Sequence, residues 1–92
     1  MDEHIYKQMT LISNEYRKGK RATKLFNGHY FTKQNHDGSI DQFVETEMDV
    51  SSIHNNRIPF CEGNQILFED KILFIDSLFK LLGKKTLLMR VS

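Results

Sequence analysis

Ninety-two residues with seven Phe, three Tyr and 39% hydrophobic content suffice for one domain with one core and leave no room for a second. At 27% charged residues and a formal net charge of +1, the chain is neither an acidic mimic of DNA nor a strongly basic nucleic-acid coat. A single cysteine, Cys61, excludes an internal disulfide framework, and the longest unbroken apolar run, Ile72 to Ile75, falls far below the roughly 20 residues that span a bilayer. The start Met1-Asp2-Glu3-His4 lacks the cationic flank and apolar stretch of a secretion signal, so the expectation is a single domain, 1–92, in a reducing cytoplasmic setting.

In chain order, Ile5, Met9, Ile12 and Tyr16 recur at i, i+4, i+7 and i+11, which predicts an amphipathic helix from about Asp2 to Lys18. Asp2 and Glu3 suit the positive end of its dipole, Arg17 and Lys18 the negative end, and Gly19 the C-terminal cap. Two aromatic-rich runs follow, Lys20 to Phe26 and His29 to Gln34. The Asn27-Gly28 pair between them predicts a hairpin, because both residues of its turn need positive φ. A second turn, Asn35 to Ser39, leads into Val44, Thr46, Met48 and Val50 alternating with Glu45, Glu47 and Asp49, a strand with an inner apolar face and an outer acidic one.

Ser51 to Arg57 reads as a loop and Ile58 to Cys61 as a short edge strand, since Pro59 cannot donate to a central ladder. Glu62-Gly63-Asn64 turns the chain again, and Gln65 to Phe68 is open between strand and early helix. From Asp70 to Leu82 the spacing predicts a second helix, stopped by Gly83, and Thr86 to Val91 a short closing strand. On a wheel of 100° per residue, Ile72, Phe74, Ile75, Leu78, Phe79, Leu81 and Leu82 cover about half the circumference, with Leu73 among the polar positions. The expected fold is therefore α+β: an N-terminal amphipathic helix, a three- to four-stranded antiparallel meander, an apolar C-terminal helix and a short closing strand. Helix, antiparallel sheet and helix is also the order of double-stranded RNA-binding domains. In that family, however, a Lys-rich start to the second helix grips phosphates, whereas this stretch opens Glu69-Asp70-Lys71 and implies no relationship.

Chemistry is sparse along the chain. Arg17, Lys18, Lys20, Arg21 and Lys24 place five cations in eight residues, with Tyr16, Phe26 and Tyr30 close in sequence as stacking surfaces, a pattern suited to phosphates. The bland counterpart is a solvated element end that suits a dipole and keeps a strand edge from pairing with other chains. His29, His36, His54 and Cys61 are too widely spaced for a zinc knuckle, and no metal site is expected. Glu45, Glu47 and Asp49 share one strand face and could hold a divalent ion, but three like charges repel unless something positive lies opposite, for which the strand bearing Arg21, or else the basic cluster of a second copy, is the economical choice. No nucleophile elbow, phosphate-cradling Gly-rich loop or His-Glu-x-x-His is present.

What remains is the width of the apolar helix face, more than one small sheet should need to cover. It points to a small non-enzymatic regulator, inhibitor or adaptor that binds another protein, as a homodimer and without cofactor, with Leu73, Phe74 and Leu81 as apolar anchors. A nucleic-acid binder using the cluster at 17–24 is the alternative, and a metal-dependent hydrolase on Glu45, Glu47 and Asp49 the third.

Overall fold

The computed structural model describes residues 5–47, 60–80 and 85–92, and at 16, 17 and 80 the backbone alone. Six strands make up the fold: β1 (Lys7–Arg17), β2 (Lys20–Gln34), β3 (Ile40–Glu47), β4 (Gln65–Phe68), β5 (Lys71–Lys80) and β6 (Thr86–Val91). They close into a barrel in the order β1-β2-β3-β6-β5-β4, with every pair antiparallel. Full closure leaves the barrel body without a free edge.

The expected α+β fold is overturned: no helix occurs among the described residues, and both predicted helices are strands. In β1, Met9 and Leu11 are 1% and 0% exposed and point inward, while Ile12 lies on the outer face. Apolar residues on both faces blur the period of two, and Ile5, Met9, Ile12 and Tyr16 then coincide with a helical stripe. Gly19 is not a helix cap. Lys18 and Gly19, at φ 54° and 75°, form the two-residue turn between β1 and β2 and adopt the positive φ at both central positions that a type I′ hairpin turn requires.

The second predicted helix fails in the same way. Glu69 and Asp70 are a two-residue turn, with Glu69 at φ 49°, and β4 and β5 pair across it from Phe68↔Lys71 to Gln65↔Phe74. The run Ile72-Leu73-Phe74-Ile75 is thereby split, Leu73 and Ile75 inward and Ile72 and Phe74 outward. Gln65 to Phe68, open from the sequence, is a strand. Phe60 and Cys61 are not in a strand, against the short edge strand expected there, and Ile58 and Pro59 lie outside the described residues. Met48, Asp49, Val50, His54, Leu81, Leu82 and Gly83 lie outside them too.

Asn27-Gly28 does not turn the chain; it sits inside the 15-residue strand β2. Its glycine serves another purpose. A Cβ on Gly28 would come within 2.9 Å of Met9 Sδ and of Phe26 Cε2 and 3.2 Å of Val44 Cγ1, so the missing side chain lets three core residues converge. Met9, Leu11, Val44, Ile66, Phe68, Leu73, Ile75, Leu87, Met89 and Val91 form that core, one or more from every strand but β2, with Phe26 and Tyr30 of β2 packed against it. The alternation read for β3 holds as far as it is described: Val44 and Thr46 are buried, and Glu47 is exposed.

Two irregularities bend the walls. Between Ile12 and Tyr16, β1 gains residues relative to β2, and the backbone N–H of Asn14 in this bulge donates to Oδ1 of the buried Asn64 at 3.1 Å. Between Ile75 and Ser77, β5 bulges against β6, and Asp76 Oδ1 accepts from the Ser92 hydroxyl at 3.1 Å.

Candidate functional site

The outer surface of the barrel divides into two walls and a projecting ribbon. On the first wall, register places Leu25 of β2 beside Thr10 of β1, Thr10 beside Leu67 of β4, and Leu67 beside Ile72 of β5. Leu25 is 63% exposed, Leu67 39% and Ile72 54%, so three of four successive strands present a bare aliphatic side chain in one row. At about 4.8 Å between neighbouring strands, the row follows the closed barrel round roughly 14 Å of its circumference, from β2 to β5 on the opposite side. The adjacent row is Thr23, Ile12, Gln65 and Phe74, the last 47% exposed. Single surface apolar residues are unremarkable on any protein, but Leu67 and Ile72, paired across β4 and β5, with Phe74 two residues on, form a small patch, from which Thr10 separates Leu25.

The rim of this wall is charged. Arg21 Nη1 donates to Gln65 Oε1 at 3.1 Å on the β2 side, and Lys7 Nζ lies 3.3 Å from Glu69 Oε1 at the barrel end. Exposed Asp70 and Asp76 mark the β5 side.

The second wall, over β2 and β3, is aromatic and largely covers itself. His29 stacks on Phe31 at 5.5 Å between ring centroids and Phe31 on Phe43 at 5.3 Å, both pairs with planes 20° apart, and Tyr6 leans on His29 at 6.3 Å. The first pair joins next-but-one neighbours on β2 and the second crosses from β2 to β3, and stacked rings cover each other's faces. Arg90, beside Phe43 in the register, pairs with Asp41 at 3.0 Å. Glu45 and Glu47 flank the same wall, where Glu45 has His29 and Leu88 as register partners and Glu47 has Thr86. The strand bearing Arg21, β2, does lie beside these carboxylates, but Arg21 itself is beyond the β2–β3 pairing and opposite Tyr16, so the residue facing Glu45 is His29. Both glutamates, after burial, raise the Tyr6 hydroxyl above its ordinary pKa. No cluster of three metal-ligating side chains occurs among the described residues.

The ribbon is the continuation of β1 and β2 past Ile12 and Thr23 to Lys18-Gly19. Lys18, Lys20 and Arg21 are exposed on it; the side chain of Arg17 lies outside the described ones. Lys24 departs from the cluster: its ammonium sits 4.3 Å above the Phe60 ring, and burial lowers its pKa. Phe26 packs edge-on against Phe60 at 5.1 Å, and Phe26 and Tyr30 face the core, so neither offers a stacking surface beside the cations. Tyr6, Lys24, Phe26, Asn27, Thr46, Glu47 and Phe60 line a half-open cleft of about 480 Å³ where the ribbon leaves the barrel.

Of the three apolar anchors read from the sequence, Phe74 is on the surface, Leu73 is 5% exposed within the core, and Leu81 lies outside the described residues. Leu73 is corrected from surface anchor to core. Leu25, Leu67 and Ile72 were missed. They become visible once Glu69-Asp70 is taken as a hairpin turn, because Leu67, Ile72 and Phe74 are then alternate positions on one face. Among the described residues, no helix is long and apolar enough to cross a membrane. Comparison of the chain with protein-family models, with curated proteins and with solved structures finds no match in any of the three.

Proposed function

We propose that this barrel is a non-enzymatic binding module whose working surface is the bare face of Leu67, Ile72 and Phe74 on β4 and β5, and that it acts by protein–protein association. The observation that carries this reading is the exposed apolar row itself, on strands whose opposite faces already fill the core. Burying large apolar side chains is worth about 1.5 to 3 kcal/mol each, which makes such a row a natural contact centre within a polar rim.

An immobilised protein should retain its partner as salt is raised and lose it on Phe74→Asp, because apolar contacts hold or strengthen with salt. Retention by the Phe74→Asp protein, with its fold intact by circular dichroism, would remove the wall from consideration.

A second reading rests on the ribbon, which carries exposed Lys18 and Lys20 at its tip, with Arg21 at its base bonded to Gln65 of β4. A two-stranded ribbon is narrow enough for a nucleic-acid major groove. Affinity for duplex DNA should then fall steeply with salt, and Lys18→Glu with Lys20→Glu should flatten that slope. The acidic face of Glu45 and Glu47 has no comparable support as a hydrolytic centre, since its register partners are His29, Leu88 and Thr86.

A further inference from the structure

We infer that the cleft where the ribbon leaves the barrel binds a small, flat aromatic carboxylate. Its carboxylate pairs with the Lys24 ammonium, its ring lies against Tyr6, Phe26 and Phe60, and a hydrogen-bond donor at its far end meets Glu47. The cleft is built on β2 and β3, which the closed order sets across the barrel from β4 and β5, so the site is independent of the protein contact proposed there.

Position favours a ligand. The described pairing of β2 with β3 stops at Gly28↔Thr46 while β2 runs back to Lys20, and the cleft opens beside that end. Barrel mouths are common places for small molecules, and about 480 Å³ falls within the roughly 300 to 1,000 Å³ of such sites.

Lys24 is the unusual residue of the lining. In register it stands beside Leu11, as Phe26 does beside Met9, and because Leu11 and Met9 are 0% and 1% exposed, Lys24 is turned to the inner side of the wall. Its ammonium lies 4.3 Å above the Phe60 ring, and burial lowers its pKa, so the charged form is held at a cost that an adjacent anion offsets. An ammonium has three donors, and a carboxylate takes one of them while the ring faces another side.

The rest of the lining selects the kind of anion. Burial, then Glu45 and Glu47, raise the Tyr6 hydroxyl pKa, which leaves it a protonated donor beside negative charge. That neighbouring charge opposes the two of a phosphate monoester more than the one of a carboxylate. Lys24 and Asn27 lie three residues, roughly 10 Å, apart along β2, and Glu47 follows Thr46, the partner of Gly28, so cation and acid mark separate ends of the cleft. Between them Phe26 meets Phe60 edge-on at 5.1 Å, and the Thr46 hydroxyl donates to the Asn27 carbonyl at 2.9 Å and ties β3 to β2 beneath. Aromatic walls favour a ring laid offset or edge-on against them.

Titration of the full, isotope-labelled chain with anthranilate tests the site by nuclear magnetic resonance. Backbone amide shifts should concentrate at Tyr6, Lys24, Phe26, Asn27 and Phe60 and spare Leu67, Ile72 and Phe74. The chain has no Trp, so the fluorescence of the probe gives its dissociation constant without indole background. Anthranilamide, uncharged and of the same shape, should bind at least about tenfold more weakly, and benzoate, which lacks the donor for Glu47, about threefold more weakly. Lys24→Met and Phe60→Ala should each raise the anthranilate dissociation constant about tenfold, and Lys24→Arg less than about threefold.

No shift at the cleft amides up to about 10 mM anthranilate overturns the site, as does a response centred on Leu67, Ile72 and Phe74. Anthranilamide binding as tightly as anthranilate overturns the pairing with Lys24, and the proposal with it; equal affinity for benzoate overturns the contact to Glu47. Both comparisons use the wild type, so they decide even where a variant fails to fold.

Discussion

The two walls of the barrel carry comparable amounts of apolar side chain but dispose of it differently. Over β2 and β3, His29, Phe31 and Phe43 stack in a ladder that hides most of their faces, and Arg90 with Asp41 closes one end of it. Over β4 and β5, Leu67 is in register with Ile72, and Phe74 stands two residues further along β5 beside Gln65, with no ring contact to any of them among the described residues. An apolar exterior is therefore not by itself an interface. What distinguishes the two walls is whether the side chains cover one another: the stacked rings over β2 and β3 do, while Leu67, Ile72 and Phe74 stay 39%, 54% and 47% exposed.

The contrast depends first on the inside–outside partition of β5, and that partition carries the largest expected effect. Leu73→Ala should destabilise the barrel by about 2 to 5 kcal/mol, whereas Ile72→Ala, one residue away, should stay within about 0.5 kcal/mol for the monomer. Chemical denaturation of both variants checks this, and equal losses would mean that the two faces of β5 have been assigned wrongly.

Next comes the junction shared by both walls. Gly28→Ala should cost about 1 to 3 kcal/mol, because the new methyl group meets Met9 and Phe26 at 2.9 Å and forces repacking. A midpoint of unfolding equal to that of the wild type would show that the convergence at Gly28 is looser than its distances imply.

The walls themselves should then differ by a smaller margin. Phe43→Ala removes a stacked partner and should lower stability by about 1 kcal/mol or more, while Phe74→Ala should leave the monomer within about 0.5 kcal/mol. Similar losses at both positions, read from thermal denaturation at a concentration where the chain is monomeric, would erase the distinction between a self-covered wall and a bare one.

The smallest effect concerns the loop that sets Phe31 against Phe43. Ser39 donates from its hydroxyl and its backbone N–H to Asp37 Oδ1, at 2.6 and 2.9 Å, and these bonds, the hydroxyl first, hold the Asp37 carboxyl below its ordinary 3.8. A depressed folded-state pKa means that the loop's stabilisation is fully present above that ordinary value and is lost as pH falls through the folded one. An NMR titration should give Asp37 a midpoint below 3.8 that climbs toward it in Ser39→Ala; an unmoved midpoint would assign the depression to something else.

How much of this was legible in the residues depended on whether a strand kept one face polar. Thr86 to Val91 and the described part of the Val44–Glu47 alternation were read correctly because they obey a period of two, and the turns at Asn35–Ser39 and Glu62–Asn64 because their Gly, Asn and Asp residues mark them. β1 and β5 were misread because a strand that serves a core and a bare wall at once is apolar on both sides, which is also how a buried helix reads. The long-range pairings β1 with β4 and β3 with β6, which close the barrel, leave no local trace. Of the apolar anchors, Phe74 is 47% exposed, and Leu73 was reversed because helical and extended periodicities send neighbouring positions to opposite faces.

β2 belongs to two structures at once. From Gly28 to Gln34 it is bonded to β3, whereas from Lys20 to Asn27 its one strand neighbour among the described residues is β1. A single continuous strand should therefore exchange its backbone amide protons on two timescales, fast toward the ribbon tip by local fraying and slow beyond Gly28, where exchange waits for the barrel to open. The glycine that lets the core converge also marks where β2 takes β3 as a second neighbour.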